Sequence, residues 1–261
     1  MSKVTSRGAQ NLGPYTADQF HSGDPYEVSR GRKINCAPTG GDGTGPNLRG
    51  GFVVDTDPKV TRAGVDPGFE FGPFTMRAPD VAVGDFPETP GWIREVPPLA
   101  IEYASVGQDE DALREKIEDL KRVGVRHLWV VRLTEPRCVE VYERGELTRT
   151  ALPGETLTAP DVLQNPVPVE ALYDREAAHE VALRNLLQRK GYRDLDAVRD
   201  AGQLDTLAHL FERRLKRSLT EAERVTLRER ITALGAERVS DVVIDYDGDP
   251  LAAWLASPDA R

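Results

Sequence analysis

Cysteine is scarce in this sequence, long apolar runs are missing, and positive charge is outnumbered, and each shortage removes a class of function. The only two cysteines among the 261 residues, Cys36 and Cys138, form no CxxC pair and lie near no histidine at ligand spacing. A disulfide framework and a thiolate zinc site are thereby excluded, and both groups are expected to be plain thiols. No stretch approaches the roughly 18 apolar residues that cross a bilayer, and Met1 to Gln10 lacks the apolar core of a signal peptide. No membrane partner is expected, and the cytoplasm is the expected compartment. Lys and Arg total 34 against 43 Asp and Glu, for a net charge of -9. A protein that grips nucleic acid over its whole surface is excluded, so any nucleic acid must meet a local basic patch. The four histidines, His21, His127, His179 and His209, show no ligand spacing, and structural roles are expected for them. Ser105 near Gly107 lacks the Gly-x-Ser-x-Gly of a nucleophile elbow.

What the sequence does have is 39% hydrophobic residues, enough for one good core with room for a second, smaller domain. Residues 1–24 carry little apolar periodicity and are expected to be an arm or a loosely docked segment. Tyr26-Glu27-Val28, the Gly31 turn and Lys33-Ile34-Asn35-Cys36 predict a short hairpin. The six glycines between Pro38 and Gly51 invite comparison with phosphate-cradling loops, but no Gly-Lys-Ser/Thr follows and Pro46 removes an amide donor. A mobile surface loop is the expectation there.

From Ala78 to Thr150 the pattern sharpens. Val81-Ala82-Val83 and Leu99-Ala100-Ile101 are short apolar runs separated by a proline-rich loop, with Asp80 entering the first strand and Glu102 within the second. Leu113, Ile117, Leu120 and Gly124 follow at helical spacing, behind the acids Asp109, Glu110 and Asp111 that favour a helix N-terminus. Leu128-Trp129-Val130-Val131 is a strand by composition, so strand, helix and strand make a crossover, and Val139 to Leu147 a closing hairpin. The expected architecture is α/β, or α+β: a mixed sheet flanked by helices.

These residues resemble a known family. Ala78-Pro79-Asp80-Val81-Ala82-Val83, then Pro98-Leu99-Ala100-Ile101-Glu102-Tyr103, then Glu115-Lys116 ahead of Gly124-Val125, then Leu128-Trp129-Val130-Val131, resembles in order and spacing the bacterial Uma-two family of restriction-endonuclease-like proteins. That family lies in the PD-(D/E)XK nuclease class, and the likeness runs from about Tyr26 to Tyr173. The resemblance implies a restriction-endonuclease-like fold and a metal-dependent endonuclease acting on DNA, with Mg²⁺ or Mn²⁺ as cofactor. It makes Asp80 and Glu102 the carboxylates that hold the cation, with the backbone carbonyl of Tyr103 as a further ligand. In the common motif a lysine lies two residues after the glutamate, where this chain has Ala104. The resemblance moves that role to the helix, to Lys116, which helical geometry sets at the edge of the apolar stripe. Two neighbours of the helix lysine that are frequent in the family are Ala112 and Leu120 here, with Asp111 a displaced substitute for the acid. Glu27 aligns with a frequent N-terminal glutamate and is either a contributor to the metal site or an exposed hairpin acid.

Singly, each of these residues has a plainer role: Asp80 starting a strand, Glu102 meeting a buried partner, Lys116 covering a helix face. As a set they point to one site. Past Tyr173 the composition turns helical. Val181 to Leu187, Leu204 to Leu215, a segment opened by the capping box Thr220-x-x-Glu223, and a last one after Asp249-Pro250 form a small helical domain. The expected division is an arm (1–24), a nuclease-like domain (25–175) and a helical domain (176–261). Truncation after Tyr173 should then leave the sheet folded; the alternative expectation is that the tail provides the surface of a homodimer. Arg213, Arg214, Lys216 and Arg217 are its densest basic cluster, either a phosphate contact or a solvated face. Two classes of function follow: a DNA endonuclease, or a catalytically silent nuclease fold serving as an interaction module.

Overall fold

The structure is a computed structural model that describes residues 13–36, 41–87, 89–105, 107 and 109–257. It divides into two compact units, Met1–Arg189 and Lys190–Arg261. In chain order the first unit contains β1 (Tyr26–Ser29), β2 (Arg32–Asn35), α1 (Gly41–Asp55), β3 (Ala63–Val65), β4 (Phe69–Gly72), β5 (Thr75–Arg77), β6 (Val81–Val83) and β7 (Leu99–Ala104). It continues with α2 (Glu110–Val123), β8 (His127–Arg132), β9 (Cys138–Glu143), β10 (Glu146–Ala151) and α3 (Arg175–Arg189).

A six-stranded sheet in the order β10-β9-β8-β7-β6-β3 forms its centre, and a four-stranded sheet in the order β2-β1-β5-β4 stands beside it. Among the strand pairs of the described residues only β7 and β8 run parallel, and α2 is the crossover that parallel strands require. All six residues of β7 are buried, as expected of a strand covered on both faces. Its alternation sorts the core. Leu99, Ile101 and Tyr103 face a large cluster with Val53 and Val54 of α1 and Val181 of α3, while Ala100 and Ala104 face Leu113, Ile117 and Leu120 of α2. Glu102 shares the parity of Ala100 and Ala104 and so belongs to the α2 face. The expected crossover and both hairpins are present.

Two expectations are corrected by the structure, and a third, left between two alternatives, is resolved. The glycine-rich stretch is helix from Gly41 onward, residues 37–40 lying outside the described residues. Glycine disfavours helix, but a Cβ on Gly50 would overlap Tyr103 Oη and one on Gly51 would press on Val65, so the helix uses the missing side chains to sit close on β7 and β3. Of residues 1–24, expected to be an arm or a loosely docked segment, residues 13–24 are docked: Ala17 is buried with Val28 and Met76, and its N–H donates to Pro73 O. Residues 1–12 lie outside the described residues. The division of the chain falls one helix later than the sequence reading placed it, because α3 belongs to the first core. Arg189 donates to the carbonyls of Asp55, Thr56, Asp57 and Val60 at the end of α1, and Asn185 Nδ2 donates to Val53 O.

The second unit contains α4 (Leu195–Leu215), α5 (Glu221–Leu234), α6 (Ala236–Asp245) and α7 (Gly248–Ala256) around Leu204, Phe211, Leu227, Val242, Leu251 and Trp254. The capping box at Thr220 and Glu223 is formed. Sequence reading passes over α6, whose buried Val239, Val242 and Val243 nevertheless recur at helical spacing. No helix among the described residues is long and apolar enough to cross a membrane.

Candidate active site

The site grows from the place where the ladder between β6 and β7 stops. Val81 pairs with Ile101, so the next antiparallel step would set Asp80 opposite Glu102 and Pro79 opposite Tyr103. Proline has no N–H to offer, and the ladder ends. The Asp80 side chain takes over: its Oδ2 accepts the Tyr103 N–H at 2.6 Å. On the other side of β6, Val65 pairs with Val81, and one step on the Asp66 N–H donates to Asp80 O at 3.1 Å. Directly opposed residues of antiparallel strands share a face. The register thus points Asp80 toward Glu102, and Asp66, where the chain turns left-handed at the end of β3, lies near enough to feel the charge of Asp80, so the three carboxyls make a loose row. Asp66 escapes sequence reading because β3 is three residues long; the sequence offers only an acid ahead of Pro67, and the structure sets it at φ +50°, a left-handed position that aspartate tolerates.

Lys116 reaches the same row from α2. Its Nζ lies 2.9 Å from Glu102 Oε2 and 3.5 Å from Glu27 Oε1, and it donates to Ala78 O at 2.7 Å. Burial opposes its charge, but Glu102, Glu27 and Asp80 together hold its pKa above the ordinary lysine range. Glu102 is 2% exposed, and burial pushes its carboxyl up to about 8, helped by Asp80 and opposed by Lys116. Asp66 is also raised, by partial burial and then by the charge of Asp80.

Glu27, left open as a site residue or an exposed acid, is buried against Lys116. Its Oε2 accepts from Arg77 Nη1 at 2.8 Å and its Oε1 from the Ala78 N–H at 3.1 Å. Burial works against its charge, but Lys116 and Arg77 hold its pKa below the ordinary glutamate range. Asp111 stands apart. Its side chain is 92% exposed and pairs with Arg114, because the first turn of α2 projects to solvent, so it does not replace a site acid. Asp80, Glu102, Lys116 and Glu27 are thus brought together, with the Tyr103 N–H bonded to Asp80. The Tyr103 hydroxyl donates to Leu172 O at 2.9 Å instead.

The residues fit a hard divalent cation. Glu102 Oε1 is buried and has no hydrogen-bond partner, while Oε2 is taken by Lys116. A buried carboxylate oxygen left unsatisfied is costly, and a cation would satisfy it. Among the described residues no group of three or more histidine, cysteine or acidic side chains forms a ready metal cage. Mg²⁺ does not require one, since it is commonly held by one or two carboxylates with waters completing the shell.

The family model Uma2, described as "Putative restriction endonuclease", matches residues 18–169, a span that contains every residue of this cluster. The crystal structure of "a putative nuclease belonging to DUF820" from Anabaena variabilis matches 63% of this chain and 99% of its own length, with a TM-score of 0.54 and 19% sequence identity. At that identity the likeness concerns the fold. No curated protein matches the chain.

Proposed function

The chain belongs to the Uma2 family of restriction-endonuclease-like proteins, and from that premise we propose that it is a divalent-metal-dependent endonuclease that hydrolyses DNA phosphodiester bonds at Asp80, Glu102 and Lys116. The observation that carries the reading is the convergence of Lys116 Nζ on Glu102 beside Asp80, with Glu102 Oε1 left without a partner. Bound Mg²⁺ or Mn²⁺ would supply positive charge to the scissile phosphate and ease ionisation of the attacking water. Asp80, Glu102 and the Tyr103 carbonyl are the groups to hold it. Asp80 is held in place for this by the Tyr103 N–H. Lys116, kept protonated by three carboxylates, acts as a charged donor rather than a base. It orients the water and stabilises the hydroxide that forms, a role that suits a group whose proton is hard to remove.

A second reading also has an observation on its side. Lys116 pairs with both Glu102 and Glu27, so the cluster is partly neutralised without a cation, and a silent fold serving as an interaction module would keep it. Cleavage separates the two. Supercoiled plasmid, linear duplex and single-stranded DNA are incubated with Mg²⁺ or Mn²⁺ at low salt, where phosphate contacts of an acidic protein are strongest. The wild type is expected to cut, and Lys116→Met to lose about 10²- to 10⁴-fold in rate while still binding Mn²⁺. Asp80→Asn and Glu102→Gln should lose both. No cleavage of any substrate alongside intact Mn²⁺ binding would favour the interaction module, and cleavage surviving all three substitutions would place the activity elsewhere.

A further inference from the structure

Lys116 Nζ donates to Ala78 O at 2.7 Å and forms ion pairs with Glu102 Oε2 at 2.9 Å and, more loosely, with Glu27 Oε1 at 3.5 Å. Ala78 O and Glu102 belong to the β5–β6 connection and to β7. Glu27 comes from β1 in the other sheet, and something must hold it there. That something is Arg77, 1% exposed, at the end of β5. Its Nη1 donates to Glu27 Oε2 at 2.8 Å, while Nε and Nη2 donate to Asp119 Oδ2 at 2.9 and 2.6 Å. Asp119 is fully buried and stands three residues after Lys116, so the two are neighbours along one side of α2. Ser29 Oγ adds a hydrogen bond to Asp119 at 2.6 Å, and Arg122 also pairs with it. One guanidinium thus ties β1 to α2 at the level of the lysine, and the next residue, Ala78, contacts both Lys116 and Glu27.

We propose that Arg77 is a positioning residue for Lys116: by bridging Glu27 and Asp119 it sets the rotation of α2 and the place of the lysine ammonium over Glu102. The proposal rests on the role given to Lys116 above. The bridge uses three nitrogens of one planar fork, which a lysine cannot reproduce. A buried ion pair is not by itself a strong source of stability, so position is the more telling measure of what Arg77 does.

The test uses the full-length chain with Arg77→Lys, Arg77→Met, and Arg77→Met combined with Asp119→Asn. Displacement of a catalytic group by about 1 Å costs on the order of 10²-fold, so Arg77→Lys should lose about that in kcat with little change in KM. The double variant removes a buried carboxylate that Arg77→Met leaves short of a partner. Its melting temperature should recover relative to Arg77→Met, but its kcat should not. A second arm needs no cleavage: the rate at which an amine-reactive ester acylates Lys116, read by peptide mass spectrometry against Lys121 on the same helix. It should rise several-fold in the double variant. Recovery of kcat together with stability, an unaffected Arg77→Lys, or an unchanged Lys116 acylation rate would each overturn the proposal. If the wild type cuts no DNA, the nuclease reading fails, and the acylation arm alone decides the role of Arg77.

Discussion

At Glu102, burial and charge pull in opposite directions, and the neighbours of that residue record how the chain accommodates the conflict. Burial favours the protonated carboxyl, Lys116 resists and Asp80 reinforces burial, so the carboxyl is pushed up to about 8 with one oxygen still unsatisfied. Tyr103, next along β7, shows how tightly the surrounding space is used. Alanine is the better helix former at Gly50 by about 1 kcal/mol, but its Cβ would overlap Tyr103 Oη. Overpacking costs about 1–3 kcal/mol, so Gly50→Ala should lower the melting temperature. In a Tyr103→Phe background, where the oxygen is gone, the alanine should cost less; equal penalties in both backgrounds would mean that α1 is not seated on that hydroxyl. Asp80, Glu102 and Lys116 were picked out in the sequence by their order and spacing in the family resemblance, which local pattern supports by setting them just ahead of β6, within β7 and on α2. Asp66 and Arg77 were not, because one becomes a site neighbour through strand register and the other through contacts 42 and 50 residues away in sequence.

Elements with strong local signals were equally legible, and α5 is an instance. Thr220 and Glu223 cap it reciprocally, and Arg217 pairs with the same carboxylate at 2.6 Å. The hydrogen bonds from Arg217, then those from Thr220, hold the Glu223 carboxyl down to about 2. A carboxyl depressed in the folded state contributes stability that is fully present above its unfolded value, near 4.3, and that fades as pH falls through about 2. Glu223→Gln should therefore lower the urea midpoint of the helical unit at pH 6, with the gap to wild type closing toward pH 2. A gap that does not change with pH would show that the charge contributes nothing. The helix α1 was illegible for the opposite reason: its glycines weaken local propensity, and its stability comes from packing on β3 and β7, which no local pattern reveals.

At the scale of the whole molecule, the first unit closes its core with α3. Ala178 and Val181 belong to that core, and Arg189 collects the carbonyls at the end of α1. A chain ending at Arg189 should keep the cooperative unfolding of the sheet domain, while one ending at Tyr173 should lose it, with near-ultraviolet circular dichroism as the readout. Equal stability of the two would show that α3 is dispensable. The family match, residues 18–169, lies wholly within this unit, and so does the cluster on which the functional reading depends. The most direct test of that reading is the anomalous signal of Mn²⁺ in crystals of the full-length protein. The account predicts a peak between the Asp80 and Glu102 carboxylates, within ligand distance of both and absent in Glu102→Gln. Crystals grown with Mn²⁺ that show no peak there, with Lys116 still paired to Glu102, would contradict it.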